Sequence, residues 1–176
     1  MTCIVGLAWP DGSVYVGADS IATWPGMDAK DIVANSKLLR RRRWVLGIAG
    51  AWRLADVLRR HWRPEAPAGG QDDGPMLAES LKQACRAAQW RGAWEVVIGG
   101  GGVVWHCSDG YWCSQPRCGY SVAGTGGDLA HGALYALHQT RKRQRRPDPQ
   151  LWVRTALAAA EAHSASVAKP FRVWRG

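Results

Sequence analysis

Strand-forming runs in this chain come in neighbouring pairs joined by tight turns, with helical runs between the pairs. Residues 2–9 are β-prone, carrying Cys3, Ile4, Val5 and Leu7. Pro10-Asp11-Gly12-Ser13 is a turn signal, and Val14-Tyr15-Val16-Gly17-Ala18 is a second strand that ends at Asp19 and Ser20. Two such runs around an Asp-Gly turn predict a hairpin. Residues 36–43 and 44–49 form the next pair. Arg40-Arg41-Arg42-Arg43 lies where they meet and reads as a solvated turn, because like charges repel unless hydrated. Residues 95–99 and 103–106 flank a four-glycine turn, and residues 120–124 and 171–174 are short single strands. Residues 21–35 read as an irregular excursion.

Helical spacing covers residues 50–62, with Trp52, Ala55, Leu58 and His61 or Trp62 on one face, and residues 76–90, with Leu77, Leu81, Ala84, Cys85 and Ala88 on a stripe. Further helices are expected over 128–139, with Asp128 as N-cap, and over 149–163. Residues 64–75 and 141–149 are loops. Tight turns make antiparallel sheets, and helices in separate pairs can cover two outer faces. The expectation is an α+β chain folded as a four-layer αββα sandwich with two stacked antiparallel sheets, one domain over residues 1–176.

Composition narrows the setting. The chain has 176 residues, 47% of them hydrophobic, enough to bury a core. No run reaches the roughly 18 apolar residues of a membrane span, and no basic segment followed by an apolar one marks a secretory signal. A cytoplasmic protein without membrane contact is expected. Five cysteines, Cys3, Cys85, Cys107, Cys113 and Cys118, cannot all pair, and in a reducing compartment they should be thiols. The last three are spaced too widely for paired C-x-x-C zinc ligands, and His106 and Cys107 on a strand point apart. Neither a metal nor a cofactor is expected. The net charge of +9 raises the question of an anionic partner. The most basic run, 141–146, has no interleaved aromatics and reads as a solvated loop, so nucleic-acid binding is not the expectation. The 11 Trp against one Phe read as core packing.

Three ordered patterns carry a resemblance. They are Thr2-Cys3-Ile4-Val5-Gly6 leading to Val14-Tyr15-Val16-Gly17-Ala18-Asp19-Ser20; Ser36-Lys37-Leu38 leading to Gly47-Ile48-Ala49-Gly50-Ala51; and Val122-Ala123-Gly124-Thr125-Gly126-Gly127 opening a small-residue helix. In this order and spacing the chain resembles proteasome β subunits and the bacterial HslV protease, which are N-terminal-nucleophile hydrolases. The small proteasome-like proteins of bacterial and phage genomes are the nearest in character. The resemblance spans nearly the whole chain. It implies a threonine-type peptidase acting on peptides or unfolded proteins, homo-oligomeric rings and an ATP-dependent unfoldase as partner. No Gly-x-x-x-x-Gly-Lys motif lies in this chain itself. The alternative is a catalytically inactive structural or assembly protein of phage type with the same fold.

The chemistry agrees with the resemblance. A threonine hydroxyl is a poor nucleophile until a base takes its proton. Once Met1 is removed, the α-amine of Thr2 sits on the same residue as Oγ1, and with a reference pKa of about 7.7–8.0 a large neutral fraction can act as that base. The γ-methyl restricts χ1 and helps aim the hydroxyl. The resemblance further implies Lys37 as the lysine beside the nucleophile, Asp19 as its acid, Gly50 as the oxyanion-hole glycine with Gly47 as a rival, and Thr125 in place of the usual serine. It also implies a late aspartate. That position falls at Ser164 here, flanked by His163 and Ser166, so no carboxylate stands there.

Overall fold

Alternation along the strands sets the layering. The computed structural model describes residues 2–23, 30–32, 36–68, 73–141 and 148–176. In chain order the strands are β1 (Ile4–Ala8), β2 (Val14–Ala18), β3 (Ile21–Thr23), β4 (Lys30–Ile32), β5 (Leu38–Arg41), β6 (Trp44–Gly50), β7 (Trp94–Gly100), β8 (Val103–Ser108), β9 (Cys113–Ser114), β10 (Tyr120–Ala123) and β11 (Arg172–Arg175). The helices are α1 (Trp52–His61), α2 (Asp73–Ala87), α3 (Gly127–Thr140) and α4 (Pro149–His163). One antiparallel sheet runs β10-β1-β2-β11 and a second runs β5-β6-β7-β8-β9.

Successive side chains of a strand point to opposite faces, and here each face has its own core. Ile4, Val14, Val16, Ala18, Val45, Ala49, Val97 and Val104 pack between the two sheets. Their strand neighbours Cys3, Val5, Leu7 and Tyr15 pack outward against Ala130 and Leu134 of α3 and Trp152, Val153 and Leu157 of α4. On the other side Leu46, Ile48, Val96, Ile98 and Trp105 pack against Leu54 and Leu58 of α1 and Leu77 and Leu81 of α2. The expected αββα order is therefore present, with α3 and α4 on one face and α1 and α2 on the other. Each fully buried aliphatic side chain contributes roughly 1.5–3 kcal/mol, so the inter-sheet layer strongly favours this stacking.

Several expectations need correction. Residues 21–35 are not wholly irregular: β3 and β4 pair antiparallel, Ile21 opposite Ile32 and Thr23 opposite Lys30. Asp128 is not the N-cap of α3. Gly126 takes that position and Asp128 lies in the first turn, where its charge still favours the helix dipole. The cap falls instead to Asp148 at α4, which accepts a bond from Gln150 N at 2.9 Å and precedes Pro149. The cysteines are not all thiols. Cys107 and Cys113 face each other across β8 and β9 and form a disulfide, while Cys3, Cys85 and Cys118 are free. Of the arginine run, Arg40 and Arg41 end β5, and only Arg42 and Arg43 make the turn. The basic run 141–146 lies outside the described residues beyond Arg141.

Candidate active site

Asp19 gathers the site. The hairpin register places Ile4 opposite Ala18, so Asp19 follows β2 level with Cys3, and its backbone N–H donates to Cys3 O at 3.3 Å. From there its carboxylate holds three segments. Oδ1 accepts from Thr2 Oγ1 at 2.8 Å, from Cys3 N at 2.9 Å and from Lys37 Nζ at 2.8 Å. Oδ2 accepts from Ile21 N at 3.1 Å. Lys37 arrives from the opposite sheet, just ahead of β5, where its carbonyl accepts from Ile48 N at 3.0 Å. The structure thus brings Thr2, Asp19 and Lys37 together, all nearly buried at 4%, 2% and 6% exposure.

Burial dominates the electrostatics. It pushes the Lys37 ammonium below the usual lysine range, and the charge and hydrogen bond of Asp19 offset only part of that. Cys3 points away from the inter-sheet layer, as alternation requires, and burial first and Asp19 second push its thiol up to about 12. A thiol so held is no nucleophile at neutral pH.

On the other side of Thr2 stands a chain of hydroxyls. Thr2 N donates to Thr125 Oγ1 at 3.3 Å. Thr125 Oγ1 lies 2.8 Å from Ser166 Oγ, and Ser166 Oγ lies 2.7 Å from Ser164 Oγ. Ser164 is therefore linked to the site, with Ser166 as the intermediary. Gly126 N–H donates to Thr2 O at 3.2 Å and fixes the same residue from the α3 end.

A cleft of about 430 Å³ opens beside Thr2, lined also by Gly50, Trp94, Glu95, Asp109 and Thr125. Gly50 ends β6 with φ +144°, where a side chain would be strained. Gly47 lies elsewhere: it is mid-strand, and a Cβ there would meet Ile4 Cγ2 at 2.3 Å, so its smallness lets the sheets approach. Two further residues near Thr2 were given no site role from the sequence. Gly124 has φ +85°, and a Cβ there would meet Thr2 O at 2.5 Å. Glu95 Oε2 accepts from Gly124 N at 2.9 Å and braces that turn. Gly124 was visible in its motif, but the glutamate left no local signal. Among the described residues no group of three His, Cys, Asp or Glu side chains is placed to hold a metal, and no helix is long and apolar enough to cross a membrane.

No protein-family model matches the chain, and no curated protein sequence matches it. Solved structures do. The BPH protein of Thiobacillus denitrificans, in its complex with epoxomicin, aligns at a TM-score of 0.81 with 18% identity, over 98% of this chain and 97% of that one. Eukaryotic HslV from Trypanosoma brucei aligns at 0.73 with 18% identity, over 98% of each chain. Anbu, the ancestral β-subunit from Yersinia bercovieri, aligns at 0.64 with 14% identity, over 99% of this chain and 81% of that one. With its two stacked sheets and paired helices, the chain has the proteasome β-subunit and HslV-like fold of the N-terminal-nucleophile hydrolases.

Proposed function

We propose that the chain is a threonine peptidase whose nucleophile is Thr2, exposed once Met1 is removed. The observation that carries this is the sharing of Asp19 Oδ1 by Thr2 Oγ1 and Lys37 Nζ, each at 2.8 Å. A buried ion pair is a weak device for stability. Placed against the hydroxyl of a near-terminal threonine, it sets positive charge where a developing alkoxide needs it. In the proposed reaction Thr2 Oγ1 attacks a peptide carbonyl and forms an acyl ester. The α-amine of Thr2 takes the hydroxyl proton and passes it to the leaving amine. Gly50 N–H holds the oxyanion, a contribution typically worth about 2.7–4 kcal/mol. Water then attacks the ester, with the amine again as base.

Thr125, Ser166 and Ser164 have a role in this reading. Their hydroxyls stand where the resemblance implies a serine and a late carboxylate, and the chain Thr2 N–Thr125–Ser166–Ser164 orients the amine without adding charge. The absence of a carboxylate at Ser164 is also the observation that favours the second reading, an assembly protein that keeps the fold without turnover.

The HslV-like neighbours support a homo-oligomeric ring and a peptide substrate. An unfolded-protein substrate, an unfoldase partner and a single domain working in the cytoplasm are further parts of the proposal. Intact mass decides first: loss of Met1 frees the amine. Mature protein should cleave fluorogenic peptides, and Thr2→Ala should abolish this while leaving the sedimentation profile unchanged. Epoxomicin, the ligand of the Thiobacillus complex, should add to Thr2 only when Met1 is absent. Retention of Met1 with no turnover would leave the assembly reading standing.

A further inference from the structure

The chain is strongly basic, at +9, yet the cleft beside Thr2 is not. Among the described residues its lining includes two carboxylates, Glu95 and Asp109, and no lysine or arginine. The Glu95 carboxylate is fixed by a backbone donor, and the Asp109 backbone is fixed beside it. Glu95 Oε2 is tied to Gly124 N at 2.9 Å, and the Asp109 backbone N–H donates to Trp94 O at 3.2 Å, next to Glu95 in β7. The other Glu95 oxygen has no hydrogen-bond partner among the described residues. His106 Nε2 lies 3.9 Å from that oxygen, beyond hydrogen-bond distance. The remaining walls are small near the nucleophile, with Ala49, Gly50 and Ala93 leaving room for a long side chain.

We infer that this cleft selects substrates with a lysine or arginine side chain within one residue of the scissile bond, and that Glu95 and Asp109 determine that specificity. The inference rests on the peptidase reading of Thr2. An anchored carboxylate with a free oxygen is a charge-assisted acceptor for an ammonium or guanidinium. Complementary charge in a cleft chooses partners more than it adds raw affinity. Glu95 is half-exposed, so each carboxylate should change selectivity by about threefold to fivefold and the pair by about tenfold.

The test uses mature wild-type protein and peptides differing only in Arg, norleucine or Glu on either side of the cleaved bond. The expected order of kcat/KM is Arg, then norleucine, then Glu. Glu95→Gln keeps an oxygen to accept from Gly124 N but loses the charge, so the Arg-to-norleucine ratio should fall about threefold to fivefold, and about tenfold with Asp109→Asn added. Equal cleavage of all peptides, or a ratio unmoved in the double variant, would overturn the inference and leave the peptidase reading intact. If no peptide is cleaved, the peptidase reading fails. Fluorescence anisotropy of labelled Arg and norleucine peptides then decides: tighter Arg binding lost in the double variant supports cation selection, and equal binding overturns it.

Discussion

Lys37 Nζ lies 2.8 Å from Asp19 Oδ1, and both groups are almost wholly shielded from solvent. Breaking such a pair from one side leaves a lone buried charge. Lys37→Met or Asp19→Asn should therefore each cost about 3–5 kcal/mol. The double variant should cost less than the sum, with a coupling of about 1 kcal/mol or more. Urea unfolding of the four proteins measures the cycle. Strict additivity would show that the two groups do not interact.

The same pair shapes the pH dependence of stability. Burial holds native Lys37 below its ordinary 10.5, so between that lowered value and 10.5 the unfolded chain binds more protons. Stability from this group then rises with pH across the window and is flat below it. Cys3 acts oppositely: its thiol is raised from 9.0 to about 12, so its contribution falls as pH climbs through that range. Wild-type stability relative to Lys37→Met should increase as pH rises towards 10.5, read as urea midpoints. A difference that stays flat would show that the lysine is not shifted.

Gly124→Ala should disable the site. The added methyl would fall 2.5 Å from Thr2 O on a backbone with φ +85°. Strain of this kind costs about 1–3 kcal/mol. A nucleophile displaced by about 1 Å can lose on the order of 10²-fold in rate. Epoxomicin labelling of Thr2 should slow accordingly, while the thermal transition remains cooperative.

The hydroxyl chain can be cut without removing bulk. Thr125→Val keeps the shape and loses the acceptor for Thr2 N, so kcat should fall about tenfold or more with KM little changed. Thr125→Ser should retain the bond and most of the rate. Equal rates for the two variants would remove Thr125 from the proton network.

Iodoacetamide should distinguish the cysteines. Cys118 is exposed and should react. Cys3 and Cys85 are buried with raised thiols, and Cys107 and Cys113 are bonded, so these four should resist until the protein is denatured and reduced. Peptide mapping after brief alkylation reads the pattern.

What the sequence made legible follows physical range. The β1–β2 hairpin, with Asp19 at the end of its second strand, was readable because a tight turn joins two β-prone runs, and the role of Asp19 came through the resemblance. The helices α1 and α2 were readable from apolar spacing. Lys37 was found through the resemblance, since it reaches Asp19 from another sheet after an intervening hairpin. Glu95 and Ser166 were not identified as site residues, because their contacts with Gly124 and Thr125 join positions 29 and 41 residues apart, where no local pattern exists. The disulfide and the β3–β4 pair were missed for a related reason. Strands of two or three residues are too short to show alternation, and β9 must pair with β8 before Cys113 can meet Cys107.

The order β10-β1-β2-β11 puts the first strand inside its sheet, flanked on both sides. Anyone producing this protein meets that arrangement as a choice of handle. A purification tag or fluorescent fusion placed ahead of Thr2 would have to leave through a nearly closed corner at 4% exposure and would cap the amine. The opposite end offers better ground: Gly176 is exposed and lies past β11, at the sheet margin. A C-terminal tag should therefore give material fit for assay, and an N-terminally tagged preparation should be silent for reasons unrelated to its folding.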